Sequence, residues 1–280
     1  PALDHMAVGI IAHPLAAVGV LIDILADSHC AVFDGIQPVP GIGSGVIDFL
    51  AAAIQAHEGW ELCGVIDPLN EECLSSLSQL PEKPHVVIDF SHPANLEMIL
   101  SYCREQEVAC VLSTTGFSPA QEAMCRELSA YAPVVRTQNT SLGINILEEI
   151  LRTITPILKD RFDIEIIEKH HNKKIDAPSG TAKMLARAIE ESGDFPEVHG
   201  RDGVCPRQKG EIGIHAIRGG TIVGEHTVLF AGDDELIEIK HTALSKQVFV
   251  AGAIKAAEFA LSAPKGFYSM GNALFPHNAH

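Results

Sequence analysis

Apolar and polar positions change their period midway along the chain. From Trp60 to about residue 135, short apolar runs alternate with helical patterns. Residues 61–67 (ELCGVID), 85–90 (HVVIDF), 108–113 (VACVLS) and 133–136 (PVVR) read as strands. A helix opens at Ser91 and Pro93 and runs to Arg104, and residues 119–131 read as another. Apolar strands separated by helices predict a parallel sheet covered on both faces. Further on, residues 162–168, 212–217, 221–230 and 236–241 alternate apolar with polar, and Gly232, Asp233 and Asp234 form a turn before the last. That pattern predicts a mostly antiparallel sheet with one face solvated or covered by a partner. Residues 248–261 return to a helical period.

The fold class expected is therefore α/β. A Rossmann-like dinucleotide domain spans residues 1–141 and 251–280, and an inserted α+β domain for substrate binding and oligomerisation spans residues 142–250. The last helix packs back on the first domain. Ligands of open α/β sheets bind beyond the carboxyl ends of the strands, so the loops after Asp67, Phe90 and Ser113 are candidate cofactor contacts. The first strand has two candidate places. Residues 7–11 (AVGII) form a good strand but are followed only by a late glycine, Gly19. Residues 31–33 precede Gly41, Gly43 and Gly45 and a helix over residues 46–57. The second place is favoured, because a glycine turn before a helix N-terminus suits pyrophosphate. Asp67 then follows Gly45 by 22 positions, near the ~20 expected of a ribose-binding acid. Pro38 and Pro40 remove two amides from that turn, and residues 1–29 become an unassigned arm.

Composition narrows the partners. The chain has 280 residues, 46% hydrophobic and 20% charged, with a net charge of −16. Such acidity repels nucleic acid and anionic lipid, and it obliges any site for an anion to gather its own positive charge. Seven cysteines without a C-x-x-C pair read as reduced thiols of a cytoplasmic protein. No apolar run reaches membrane-spanning length, and the N-terminus lacks the order of a signal peptide.

The densest chemistry lies between Glu168 and Thr181 (EKHHNKKIDAPSGT), between a strand and a helix over residues 182–191. Ser179 or Thr181 can cap that helix. The amides of Gly180 and Thr181 attract a carboxylate, Lys174 adds a full charge, and His170 or His171 can move a proton near neutral pH. Adjacent histidines on a strand point to opposite faces, so a shared metal ion is not expected.

The segment H-H-x-x-K-x-D-A-P-S-G-T resembles the signature of the dihydrodipicolinate reductase family of the diaminopimelate–lysine pathway. Residues 87–91 (VIDFS), 113–117 (STTGF), 139–145 (NTSLGIN), 213–226 (GIHAIRGGTIVGEH) and 266–270 (GFYSM) also resemble that family in order and spacing. The resemblance covers roughly residues 60–275. It implies NAD(P)H-dependent reduction of 4-hydroxy-tetrahydrodipicolinate, or its dehydrated form, to tetrahydrodipicolinate, by a homotetramer. It also implies roles: His170 as general acid, and Lys174 as its substrate-binding and catalytic partner. His171, Ser179, Gly180, Thr181 and Lys246 would hold the dicarboxylate. Thr114, Gly116, Asn139 and Ser141 would lie along nicotinamide and ribose, and Phe90 and Ser91 beside the pyrophosphate. Two departures stand out. The family's first loop, approximately G-x-x-G-R-M-G, has no match here. Ser245-Lys246 replaces the frequent Ser-Arg, which keeps the charge but loses bidentate geometry. Asp67, with no basic neighbour before Lys83, favours NADH over NADPH. Two other readings stay open: another nicotinamide dehydrogenase of similar layout, and a non-catalytic dinucleotide-binding homologue, against which intact His170 and Lys174 argue.

Overall fold

The computed structural model describes residues 16–22, 46–67 and 73–275. Its elements run β1 (Ala16–Ile22), α1 (Val46–Ala56), β2 (Trp60–Ile66), β3 (Val86–Phe90), α2 (Leu96–Gln106), β4 (Ala109–Leu112), α3 (Pro119–Leu128), β5 (Pro133–Arg136), α4 (Leu142–Leu158), β6 (Asp163–His170), α5 (Gly180–Glu190), β7 (Glu197–His199), β8 (Ile212–Arg218), β9 (Gly224–Ala231), β10 (Leu236–Ala243), α6 (Gln247–Ser262), β11 (Gly266–Tyr268) and α7 (Met270–Leu274).

Strands β1 to β5 and β11 make one parallel sheet in the order β11-β5-β4-β3-β1-β2. Alternate residues of its strands face opposite ways and fill two cores. Val86, Ile88, Ala109, Val111 and Val135 pack with α1 and α6. Val87, Cys110, Leu112 and Val134 pack with α2 and α3 on the other side. Helix α6 thus returns to the first sheet, as its place after the second sheet predicts. It comes so close to the first unit that a Cβ on Gly252 would lie 1.6 Å from the Thr140 carbonyl oxygen.

The first strand corrects the sequence reading. Strand β1 lies at residues 16–22, inside the segment expected to be an arm, and pairs with both β2 and β3. The strand candidates at residues 7–11 and 31–33, with Gly41, Gly43 and Gly45, lie outside the described residues. A glycine turn guides both candidates, whereas a central parallel strand announces itself by a continuous apolar run, and AAVGVLI is one.

The second sheet has the order β10-β9-β6-β8-β7. It is mixed rather than mostly antiparallel: β9 runs antiparallel to β6 and β10, while β8 runs parallel to β6 and β7. The reason is the long connection through α5, which brings the chain back to re-enter the sheet in the direction of β6. Its inner face (Ile164, Ile166, Ile212, Ile214, Val228, Phe230) packs with α4 and α5. Among the described residues no helix is long and apolar enough to cross a membrane, and none of the six cysteines there is in a disulfide.

Candidate active site

Period two along β6 decides which groups face inward. Ile164, Ile166, Glu168 and His170 share the buried face, while Glu165, Ile167 and Lys169 point to the other. The strand therefore delivers a carboxylate and an imidazole side by side at its inner end, with Glu168 0% and His170 8% exposed. Glu168 is fully engaged. Its Oε2 lies 2.6 Å from His170 Nδ1 and accepts from Arg218 Nη1 at 2.8 Å. Its Oε1 accepts from Arg218 Nη2 at 2.8 Å and from the Ser179 amide at 3.0 Å. Register makes this possible, because β8 runs beside β6 with Arg218 opposite His170.

Ser179 is the residue that caps α5. Its hydroxyl oxygen accepts from the Ala182 amide at 3.1 Å, so its hydrogen is free for His226 Nε2 at 3.0 Å. The ring of His226 stands edge-on to that of His170, with centroids 5.1 Å apart. At Gly180 a side chain would meet nothing within 4 Å, so the start of α5 is open where its first amides lack partners within the helix. Thr181 is tied differently from the expectation that it holds substrate: its hydroxyl oxygen accepts from Asn139 Nδ2 at 2.9 Å. Lys174 pairs with Asp176 at 2.7 Å, and Arg218 also donates to the Asp176 carbonyl at 2.6 Å.

Burial pushes the His226 imidazole down to about 3, helped by the charge of His170. Partial burial lowers that of His171, and Lys174, His170, Lys246 and Arg218 lower it further. For Glu168, burial works against ionisation, yet the hydrogen bonds from His170, Arg218 and the Ser179 amide prevail and bring it down to about 2. Lys246, exposed at the start of α6, has no ion-pair partner among the described residues.

A cavity of about 250 Å³ opens beside this cluster, at the carboxyl ends of β3 and β4. Phe90, Ser91, Thr114 and Asn139, four of the expected cofactor residues, line it, together with Val46, Ser113, Thr115, Gln138, Thr140 and Phe249. Val46 is the first residue of α1, so a helix N-terminus borders the cavity. The hydroxyls of Ser113 and Thr114 are buried there without a hydrogen-bond partner among the described residues. Orphaned donors in an open cleft fit a polar ligand such as a dinucleotide. Gly116 lies just beyond, at φ +80°. Ser141 sits behind the wall, buried as the cap of α4 and 3.3 Å from His241 Nε2. Asp67 ends β2, 1% exposed. A larger cavity of about 540 Å³ contains none of the predicted residues; its wall carries the ion pairs of Arg136 with Glu122 and of Arg152 with Glu148 and Glu191.

Sequence reasoning misses three members of the cluster. In the sequence Glu168 is only the start of the motif, and Arg218 and His226 are only parts of a matching stretch. Alternation carries the signal: Glu168 shares a strand face with His170, and no carboxylate is buried without partners.

Comparison with known proteins agrees with the geometry. A family model described as "Dihydrodipicolinate reductase, N-terminus" matches residues 44–140, and "Dihydrodipicolinate reductase, C-terminus" matches residues 143–274. The 4-hydroxy-tetrahydrodipicolinate reductase of Clostridium novyi (strain NT) is 43% identical over 236 residues, covering 82% of this chain and 94% of that protein. The enzyme of the same name from Clostridium tetani is 50% identical over 189 residues, covering 66% of this chain and 73% of that one. Among solved structures, a dipicolinate-bound dihydrodipicolinate reductase from Paenisporosarcina sp. TG-14 shares the fold, with a TM-score of 0.67 and 21% identity over 93% of this chain and 99% of that one.

Proposed function

The chain belongs to the dihydrodipicolinate reductase family, and from that premise we propose that it reduces 4-hydroxy-tetrahydrodipicolinate, or its dehydrated form, to tetrahydrodipicolinate with NADH or NADPH. The observation that carries this reading is the open start of α5 close to Lys174, whose partner Asp176 is about half exposed and readily displaced, set against a chain of net charge −16. A dianionic substrate needs such a local reversal of sign.

A bound nicotinamide supplies the hydride. The residues that would hold its dinucleotide are Phe90, Ser91, Thr114 and Asn139 of the cavity wall, with Gly116 beside them. Gly41, Gly43, Gly45 and Asp67 are assigned to pyrophosphate and ribose by their place in the sequence. Ser141 contributes from behind by fixing Asn139, whose side-chain oxygen accepts from the Ser141 amide at 2.8 Å. The open start of α5, through the amides of Gly180 and Thr181, receives one substrate carboxylate. Lys174, His171 and Lys246 surround the other. When the ring accepts hydride, electron density develops at the neighbouring carbon, and His170 delivers the proton there. Neutral His171 and His226 bind without adding charge.

Three finer points belong to the same reading. NADH is favoured, since no Arg or Lys follows Asp67 in the sequence before Lys83 to meet a 2′-phosphate. The enzyme works in the cytoplasm in lysine and diaminopimelate biosynthesis, and its assembly is a homotetramer. The test is oxidation of NADH and NADPH with substrate generated in situ. Substrate-dependent oxidation is the expected result; none with either cofactor overturns the reading.

A further inference from the structure

We propose that Glu168 is a positioning residue for the proton transfer: it holds the Nδ1–H of His170, so that Nε2 is the nitrogen that exchanges the proton, and Gly224 keeps the space at Nε2 clear. This inference rests on the reading of His170 as the acid.

The geometry argues it from both sides of the ring. On the Nδ1 side, the distance to Glu168 Oε2 is 2.6 Å. An ionised carboxylate can only accept, so Nδ1 must carry the hydrogen in either charge state of the imidazole. Glu168 cannot turn away, because its two oxygens also accept from Arg218 Nη1 and Nη2, both at 2.8 Å, and from the Ser179 amide at 3.0 Å. Arg218 is itself anchored on the Asp176 carbonyl. The carboxylate is therefore fixed to a strand on one side and to the cap of α5 on the other. On the Nε2 side, a Cβ at position 224 would lie 3.2 Å from Nε2 and 3.5 Å from Cδ2. A glycine there leaves the nitrogen unobstructed. The neighbouring ring, His226, is kept neutral by burial and meets His170 edge-on, with centroids 5.1 Å apart.

A merely structural Glu168 would tie β6 to α5 and do nothing through His170. The two roles separate in a double-mutant cycle. Glu168→Gln keeps the shape but presents an amide that cannot accept from Arg218, Ser179 and Nδ1 together. Substituting an orienting carboxylate in this way fixes the wrong tautomer and costs up to ~10⁴-fold in turnover in a well-studied hydrolase triad. The expected result is a kcat loss of ~10²–10⁴-fold, with KM for substrate changed only a few-fold; the melting temperature falls because the buried pair with Arg218 is broken, and kcat is therefore read well below it. In the His170→Gln background the same substitution is expected to cost no further kcat, because there is no imidazole left to orient. An equal loss in both backgrounds, or near-parental kcat in Glu168→Gln alone, overturns the proposal. Should Glu168→Gln fail to fold, imidazole ¹⁵N NMR of the unsubstituted protein decides: a protonated Nδ1 with bare Nε2 in neutral His170 supports it, and the opposite tautomer overturns it. That spectrum needs no turnover. Inactivity of the parent protein would therefore count against the proposed function, and the wrong tautomer against the role of Glu168 alone.

Discussion

Lys173 and Lys174 differ by one position and by everything that matters to a substrate. Lys174 is half-buried and paired with Asp176 at 2.7 Å, whereas Lys173 is exposed. The Asp176 carboxyl is about half exposed, so the pair is cheap to open for an incoming carboxylate. Lys174→Ala should lower kcat/KM by ~10–100-fold, the worth of a charge-assisted hydrogen bond, with a raised KM. His170→Gln should lower kcat by ~10²–10⁴-fold with little change in KM, and Lys173→Ala should stay near the parent in steady-state kinetics. Equal damage from the two lysine substitutions would place the catalytic loop wrongly. A second expectation concerns pH. His226 titrates from 6.5 when unfolded to about 3 when folded. Its folded value is depressed, so the stability it contributes is complete above pH 6.5 and is lost as pH falls toward 3. Glu168, lowered from 4.5 to about 2, adds a loss below pH 4.5. Melting temperature should be flat with respect to these groups above pH 7 and fall in two stages below it, each worth a few kcal/mol. In His226→Asn the first stage should shrink to what His171 and His241, also lowered, contribute; an unchanged first stage by calorimetry would assign it elsewhere. At this scale the motif residues His170, His171, Lys174 and Ser179 were legible, because imidazoles, cations and a helix start packed into one short stretch suit an anion in any fold. Arg218 and His226 were not, since only strand register brings them to β6.

Helix α6 packs on the segment between β5 and α4 through one missing side chain. With the Thr140 carbonyl 1.6 Å from where its Cβ would sit, Gly252→Ala must push α6 away from the segment that also lines the cavity. Overpacking of this kind costs ~1–3 kcal/mol or more. The expected outcome is a lower denaturant midpoint together with weaker cofactor binding, read by urea unfolding and by NADH fluorescence titration. An unchanged midpoint would mean that α6 adjusts freely. Elements with a clean period were legible: β2 to β5, strands β6, β8, β9 and β10 of the second sheet, and helices α1, α5 and α6 fall within a few residues of expectation. Helix α4 was not foreseen. Its five isoleucines, two threonines and Pro156 are poor helix formers or a breaker, and burial of Leu147 and Leu151 against α5 and the second sheet overrides them. Short β7, β11 and α7 carry too few residues to show a period. Strand β1 escapes a glycine-led reading, because its signal is an apolar run, AAVGVLI.

Association of this chain with itself must overcome the mutual repulsion of copies that each carry −16. The outer face of the second sheet is suited to that, because most of its charges are matched on the spot, Glu238 excepted. Glu225 pairs with Lys240 at 2.8 Å and with Lys169, and Glu165 binds His215 at 2.8 Å and Arg207. Between these pairs stand apolar side chains: Ile217 is 46% and Leu236 60% exposed. A largely neutral, partly apolar face can be covered by its own copy while burying few unpaired charges. Light scattering at micromolar protein is expected to give a tetramer. Leu236→Arg, which adds one unmatched charge to that face, should shift it toward smaller species while leaving the melting of the first sheet's core intact. Salt supplies a sharper criterion. The net repulsion acts over distances that a Debye length of about 8 Å at 0.15 M cuts short, while the matched pairs on the face lose little on screening. Raising ionic strength should therefore favour the assembly. A monomer at all concentrations would remove the claim, and a tetramer that falls apart as salt rises would show it held by charges across copies rather than by this neutral face.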